Sequence, residues 1–306
     1  MGTGRRRGVT LAAIVSVTLA AALGPAGGSA DHRELVIRPN NLVAPIEIPR
    51  RPLPGPVPGC RHASLRCVSQ TVRRLKALEE RMGCNHRAVF ATTYRVLTQV
   101  ALETVRRNPR FLRYLNYFYF QDALFADIYL ATGRAWVAGR RVGPAWRIAF
   151  EAARDGDLLA SQDMLLGINA HVQNDMPFLL AALGTHTRRG HSRKVDHDGE
   201  NRILERAYQR VVDAVEARYD PSLAVTNPDD SNADDIAGLE LVAGWREEVW
   251  RNARRLLMTR RDPAAHAEVV EDIETNAADW ARTIASPQTP GYRTERDAYC
   301  RERLAG

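Results

Sequence analysis

The segment from Leu158 to Leu183 constrains this chain's fold more than any other stretch. It is apolar almost throughout and reads with helical spacing, yet it carries His171 and Asp175 one turn apart, with Asn169 and Asn174 beside them. Residues four apart on a helix share a face, with Cβ atoms about 5–6 Å from one another, so an imidazole and a carboxylate are directed to one place. Buried polar groups are costly unless they are paired. Such a pair on an apolar helix therefore implies a use: metal binding, catalysis or a satisfied structural network. Pro177 should kink or divide the helix, because proline removes one helical hydrogen bond and its ring clashes with the preceding turn.

The same helical period recurs from Cys60 to the end of the chain. Val68, Val72, Leu75, Leu78 and Met82 repeat at three and four residues, as an amphipathic helix requires. Phe90 to Val105 forms a second helix. Pro109 suits the first turn of a third, which runs through Phe111, Leu115, Phe118, Leu124, Ile128 and Leu130 and closes at Gly133. Gly143-Pro144 opens a shorter helix through Trp146 and Phe150. After the apolar helix comes a polar loop from Gly184 to about Gly199, then helices over Ile203–Tyr219, Asp235–Met258, Ala265–Ile284 and Tyr292–Leu304. No alternating strand pattern or internal repeat interrupts this series. Residues 60–306 are expected to form one all-α domain, large enough for a substantial core.

The N-terminal sixty residues read differently. Arg5-Arg6-Arg7, the apolar run Val9 to Leu23 and the small residues Gly28-Ser29-Ala30 form a secretory signal peptide over residues 1–30, cleaved near Ala30, and the mature protein is expected outside the cell. The apolar run is too short to span a membrane, and no later stretch is long enough either. Residues 31–59 contain Pro39, Pro45, Pro49, Pro52, Pro54, Pro56 and Pro58, which suits an extended arm. Loss of the leader removes three arginines and no acid, so the formal charge falls from +7 to +4. That excess is too small over this length to imply nucleic-acid binding.

The four cysteines, Cys60, Cys67, Cys84 and Cys300, suit two disulfides in an exported protein. A helix over Val68–Met82 would hold Cys67 and Cys84 roughly 25 Å apart, whereas a disulfide needs Cα atoms within about 7 Å. The expected pairs are Cys60–Cys67 and Cys84–Cys300. No two cysteines have the spacing of a zinc-thiolate site.

Several segments, in order, resemble those of domain-of-unknown-function family 5995. They are Phe90-Ala91-Thr92-Thr93-Tyr94, Phe125-Ala126-Asp127-Ile128-Tyr129-Leu130, Ala145-Trp146-Arg147-Ile148-Ala149-Phe150-Glu151 and, most distinctively, the stretch Asn169-Ala170-His171 with Asp175 and Pro177. Asp196 with Asn201 and the Gly244-Trp245-Arg246…Trp250 helix continue the order. Together they span roughly residues 65–260. The resemblance implies a helical fold and carries no established activity. Where related sequences place a histidine shortly before the Asp196 position, here His191 and His197 flank it.

His171 and Asp175 are candidate ligands for a divalent metal, zinc or similar, and candidate catalytic groups. Further ligands would have to come from other helices. His86, Asp122 and His197 are the candidates; Asp122 is preferred to Asp127, five residues on, because it follows the aromatic run Tyr117–Phe120. Asp196 and Asp198 lie beside His197. No Gly-x-Ser-x-Gly elbow, His-Glu-x-x-His pair or Gly-rich phosphate loop is present. The expectation is a metal-dependent hydrolase of phosphate or other esters at a polar pocket between helices, taking a small-molecule or anionic substrate past the basic loop His186–Lys194. The alternative is a non-catalytic envelope or ligand-binding protein in which the same residues form a buried hydrogen-bond network.

Overall fold

The computed structural model describes Cys60 and residues 63–226, 233–286 and 291–305, with side chains omitted over 224–236. The leader and proline-rich arm expected over residues 1–30 and 31–59 lie outside the described residues. The helices are α1 Leu65–Met82, α2 Arg87–Arg107, α3 Leu115–Val137, α4 Pro144–Asp155, α5 Ala160–Asn169, α6 Met176–Leu183, α7 Lys194–Gly199, α8 Asn201–Arg218, α9 Ala233–Thr259, α10 Pro263–Ile284 and α11 Tyr292–Ala305. A π-helical turn, Ala170–Asp175, joins α5 to α6, and a 3-10 segment, Pro221–Thr226, follows α8. The described residues contain no strand, only an isolated bridge between His186 and Ser192. The fold is all-α, as the periodicity predicts.

Three local expectations need correction. Pro109 does not open α3: it lies in the turn before it, and the helix begins at Leu115, where the Asp196 carboxylate accepts from the backbone N–H groups of Arg113 (2.7 Å) and Tyr114 (2.6 Å). Gly133 does not end α3, which runs on to Val137. A mid-helix glycine weakens a helix by only about 1 kcal/mol, and the aromatic packing of Tyr129 and Trp136 on either side outweighs that. The loop expected over 184–199 contains the short helix α7.

Pro177 acts upstream of itself. It has no N–H to offer the carbonyl four residues back, and the strain is taken up by the π turn, in which the Met176 N–H donates to the carbonyl of His171, five residues earlier. The chain therefore widens at the residues that carry the polar groups. α10 runs antiparallel to this composite helix. Gln162 donates to the carbonyls of Ile284 (2.8 Å) and Ser286 (2.9 Å), Asn169 donates to the carbonyl of Ala277 (2.8 Å), and Asn276 donates to Gln173 (2.9 Å). α2 crosses the other side at Gly167, where a Cβ would lie 2.2 Å from Cγ of the core residue Phe90.

Both expected disulfides form. Cys60–Cys67 closes a short loop at the start of α1, and Cys84–Cys300 ties α11 to the α1–α2 turn. Arg296, 1 % exposed, strengthens that attachment by donating to the carbonyl of Cys84. Elsewhere the interior ion pairs are shared. Glu79 is held by Arg95 and by Arg218 (2.7 Å), and Arg246 donates to Glu200 (2.9 Å), Asn201 (2.6 Å) and the carbonyl of His197.

Glu274 is an exception to this pairing. It is fully buried on α10 against the π turn, and neither carboxyl oxygen has a hydrogen-bond partner. Burial, followed by the nearby negative charge of Asp175, pushes it up from 4.5 to about 8. At neutral pH the fold holds it protonated, whereas the unfolded chain releases that proton above about 4.5. Its contribution to stability is thus most favourable in acid and declines as pH rises from about 4.5 to about 8. Glu274→Gln should remove this slope. The variant is expected to exceed the wild type by on the order of 2 kcal/mol at pH 8 and to match it near pH 4 in urea unfolding. A difference that does not vary with pH would contradict the neutral, unpartnered carboxyl. Gly167→Ala should cost roughly 1–3 kcal/mol by overpacking against Phe90, read as a lowered thermal midpoint; an unchanged midpoint would mean that α2 and α5 separate freely.

Candidate functional site

The π turn presents His171 and Asp175 to a space bounded by α2, α3 and α4. Nδ1 of His171 lies 3.0 Å from Oδ2 of Asp175. The same carboxylate oxygen accepts from the indole N–H of Trp146 (2.9 Å), and Oδ1 accepts from the Asn174 amide (2.8 Å). A carboxylate can only accept, so Nδ1 carries the imidazole proton and Nε2 is left with its lone pair. Nε2 is buried and has no hydrogen-bond partner. Burial lowers the His171 pKa below its ordinary value and outweighs the opposing pull of Asp175. The ring is therefore a neutral base of fixed tautomer.

Aromatic side chains surround that ring. Phe125 stacks face to face on it at 3.5 Å between centroids, and Tyr94 meets it edge-on at 4.9 Å. Phe90, Tyr129 and Trp146 complete the shell at about 6 Å. The cage is made of i,i+4 pairs: Phe90 and Tyr94 on α2, Phe125 and Tyr129 on α3, and Trp146 with its neighbour Phe150 on α4. Each pair lies on one helical face, which directs all three helices to a single centre. Aromatic faces attract cations, but the desolvation of this enclosed position is the larger effect, and the imidazole stays neutral.

Two more polar atoms in this region lack partners. The Tyr94 hydroxyl and Oδ2 of Asp122 are buried without hydrogen bonds. Asp122 precedes Phe125 by one turn of α3, so it shares the face that stacks on His171. Burial pushes it up to about 7, with the Thr71 hydroxyl opposing and the charge of Glu200 adding to the shift. Tyr94 is raised well above 10 by burial first and by Asp122 next. Asp122 as a whole residue is only half-buried, while its Oδ2 is enclosed.

The other candidate residues are engaged elsewhere. His86 lies at the start of α2 with Nδ1 2.7 Å from Oδ2 of Asp163 and Nε2 3.5 Å from Oδ1 of Asp297. His197, on α7, donates from Nε2 to the carbonyl of Arg246 (2.8 Å) and packs near Trp250. Burial, then the charge of Arg246, holds it well below the usual imidazole range. Asp127 pairs with Arg74 of α1, Asp198 pairs with Lys194, and Asp196 braces the start of α3. The structure thus joins His171 to Asp175; Asp122 shares with Asp175 only its action on Tyr94, and His86 and His197 lie elsewhere. Among the described residues, no three His, Cys, Asp or Glu side chains form a group able to hold a metal. Asp175 already accepts three hydrogen bonds, so it orients His171 and has little left to offer an ion.

Sequence reasoning gives Tyr94, Trp146 and the cage itself no role at the site. The available signal was the repetition of aromatic i,i+4 pairs on three helices in succession.

Comparison with known proteins places the chain without adding an activity. No curated protein and no solved structure matches it. One family model does, over residues 68–287, which includes every helix around the cage. The chain belongs to the DUF5995 family, a family of unknown function.

Proposed function

We propose that this protein is a hydrolase acting outside the cytoplasm, with the His171–Asp175 dyad as the general base that activates water. The unpartnered, buried Nε2 of His171 is the observation that carries this reading. Most buried polar groups have a partner, so a bare imidazole nitrogen whose tautomer is fixed by a carboxylate is available to take a proton. The position on a π turn agrees, because such turns occur frequently at functional sites. Asp175 holds the imidazole in the productive tautomer and would stabilise the imidazolium formed when Nε2 takes a proton, the role a carboxylate plays in hydrolytic triads. Trp146 and Asn174 fix that carboxylate in turn. Two disulfides support an oxidising compartment, and no described helix is long and apolar enough to cross a membrane.

The test is hydrolysis of 4-nitrophenyl esters by the purified protein. His171→Gln should lower kcat/KM by about 10²–10⁴-fold, the usual contribution of a positioned base, and Asp175→Asn should give a loss of the same order by releasing the tautomer. His171 faces Asp175 on its own turn, Tyr94 from α2 and Tyr129 from α3. Its pKa is lowered, so the active neutral form should persist below the ordinary imidazole value, and the rate should decline only as pH falls through the lowered value. Elemental analysis separates this from metal use: the substitution should alter the rate without altering metal content. A His171→Gln variant with the full wild-type rate would falsify the dyad.

A further inference from the structure

Two buried oxygens without partners, the Tyr94 hydroxyl and Oδ2 of Asp122, define the reacting group the dyad would face. We infer that the Tyr94 hydroxyl and the Asp122 carboxyl form a pair of hydrogen-bond donors for an oxygen that gains negative charge, and that the substrate is an uncharged carboxylic ester with apolar flanks, not a phosphate ester. This rests on the dyad reading for the source of the nucleophile. The geometry comes from three helices. Tyr94 meets His171 edge-on at 4.9 Å and lies 5.9 Å from Phe125, and Phe125 stacks on His171 at 3.5 Å. Asp122 stands one turn before Phe125 on the same face of α3. The Tyr94 hydroxyl, Oδ2 of Asp122 and Nε2 of His171 are all enclosed, and none has a partner. Tyr94 adjoins His171 and is acted on by Asp122, so one polar guest at Tyr94 would relieve unsatisfied atoms that each cost about 1–3 kcal/mol.

The chemistry of the three atoms selects the guest. Tyr94 is protonated throughout the physiological range, and an Asp122 displaced to about 7 is substantially protonated near neutrality, so both can donate. Nε2 of His171 can only accept. Two donors and one base match an ester carbonyl attacked by water. As the water oxygen bonds to the carbonyl carbon, Nε2 takes the water proton and the C=O π pair moves onto the carbonyl oxygen, held by Tyr94 and Asp122. Collapse of that intermediate breaks the C–O bond to the leaving alcohol, which takes the proton back from the imidazolium. One water is consumed, and a carboxylic acid and an alcohol are released. A neutral carboxyl and a tyrosine forming an oxyanion site is a known physical solution. A phosphate dianion fits poorly. Carboxylates outnumber cations here: Asp122, Asp175 and Asp127 act on Tyr94 and Glu200 acts on Asp122, against one arginine, Arg87, that acts on Tyr129, so a dianion would meet net repulsion at the donor pair.

The experiment separates donor pair from dyad by using 4-nitrophenolate as a stable oxyanion probe beside 4-nitrophenyl butyrate and 4-nitrophenyl phosphate. In the wild type the phenolate should bind, compete with the butyrate ester and leave the phosphate ester as a non-substrate. Tyr94→Phe and Asp122→Ala should each weaken phenolate binding by roughly tenfold. Asp122→Asn, which keeps a donor, should restore most of the loss, and His171→Gln should leave binding nearly unchanged. Competition in the wild type needs no variant to fold. Phenolate that does not bind, phenolate that binds Tyr94→Phe and Asp122→Ala as tightly as the wild type, or a preference for the phosphate ester would overturn the inference. Phenolate binding that depends on Tyr94 and Asp122, in a protein whose ester hydrolysis does not need His171, would sink the dyad and leave the donor pair standing.

Discussion

The Asp175 carboxylate is the interaction on which the site depends. It accepts from the imidazole of His171, the indole of Trp146 and the amide of Asn174, so a charge buried at 4 % exposure is solvated by protein dipoles in place of water. Removing any donor would leave a buried charge partly unmet, which costs far more than the hydrogen bond itself contributes. The same three bonds link the π turn to α4 and orient His171. One carboxylate therefore sets the imidazole tautomer, anchors a helix crossing and raises the proton affinity of Glu274 on α10.

Around that anchor the structure combines an apolar shell with polar atoms left without partners. The cage aromatics lie in the main core cluster with Leu166, Leu179 and Trp250, and desolvation inside that cluster keeps His171 neutral and Asp122 partly protonated. Contrast the Glu79–Arg95–Arg218 and Arg246–Glu200–Asn201 groups, where each buried charge meets its counterpart. Those networks position helices. The site near His171 differs from those networks, because Nε2, the Tyr94 hydroxyl and the Asp122 oxygen are left open there.

Much of the fold was legible because it rests on local periodicity. The three- and four-residue repeats locate α1, α2 and α8 to α11; the impossibility of spanning α1 with a disulfide excludes one of three cysteine connectivities, and the observed pairs are the short-loop choice among the two left. Pro109 and Gly133 misled because turn chemistry and packing override single-residue propensity: Asp196, 82 residues beyond Tyr114 in sequence, caps the backbone where α3 begins. At the site, the His171–Asp175 contact is an i,i+4 property and could be read directly. The destinations of His86 and His197 could not, since Asp163 and Arg246 reach them through tertiary packing. The widened turn was half legible: Pro177 announces a break, but not that the preceding six residues would absorb it.

The central claim is that His171 is a neutral imidazole with its proton on Nδ1 and a bare Nε2. Nitrogen-15 NMR of the labelled histidine rings reads this tautomer directly, through two-bond couplings and the separate shifts of protonated and unprotonated nitrogens. The account predicts an Nδ1–H resonance and an unprotonated Nε2 for His171 at neutral pH, unchanged as pH is lowered past the ordinary imidazole range near 6.5. An Nε2–H tautomer, or a doubly protonated ring at pH 7, would contradict it.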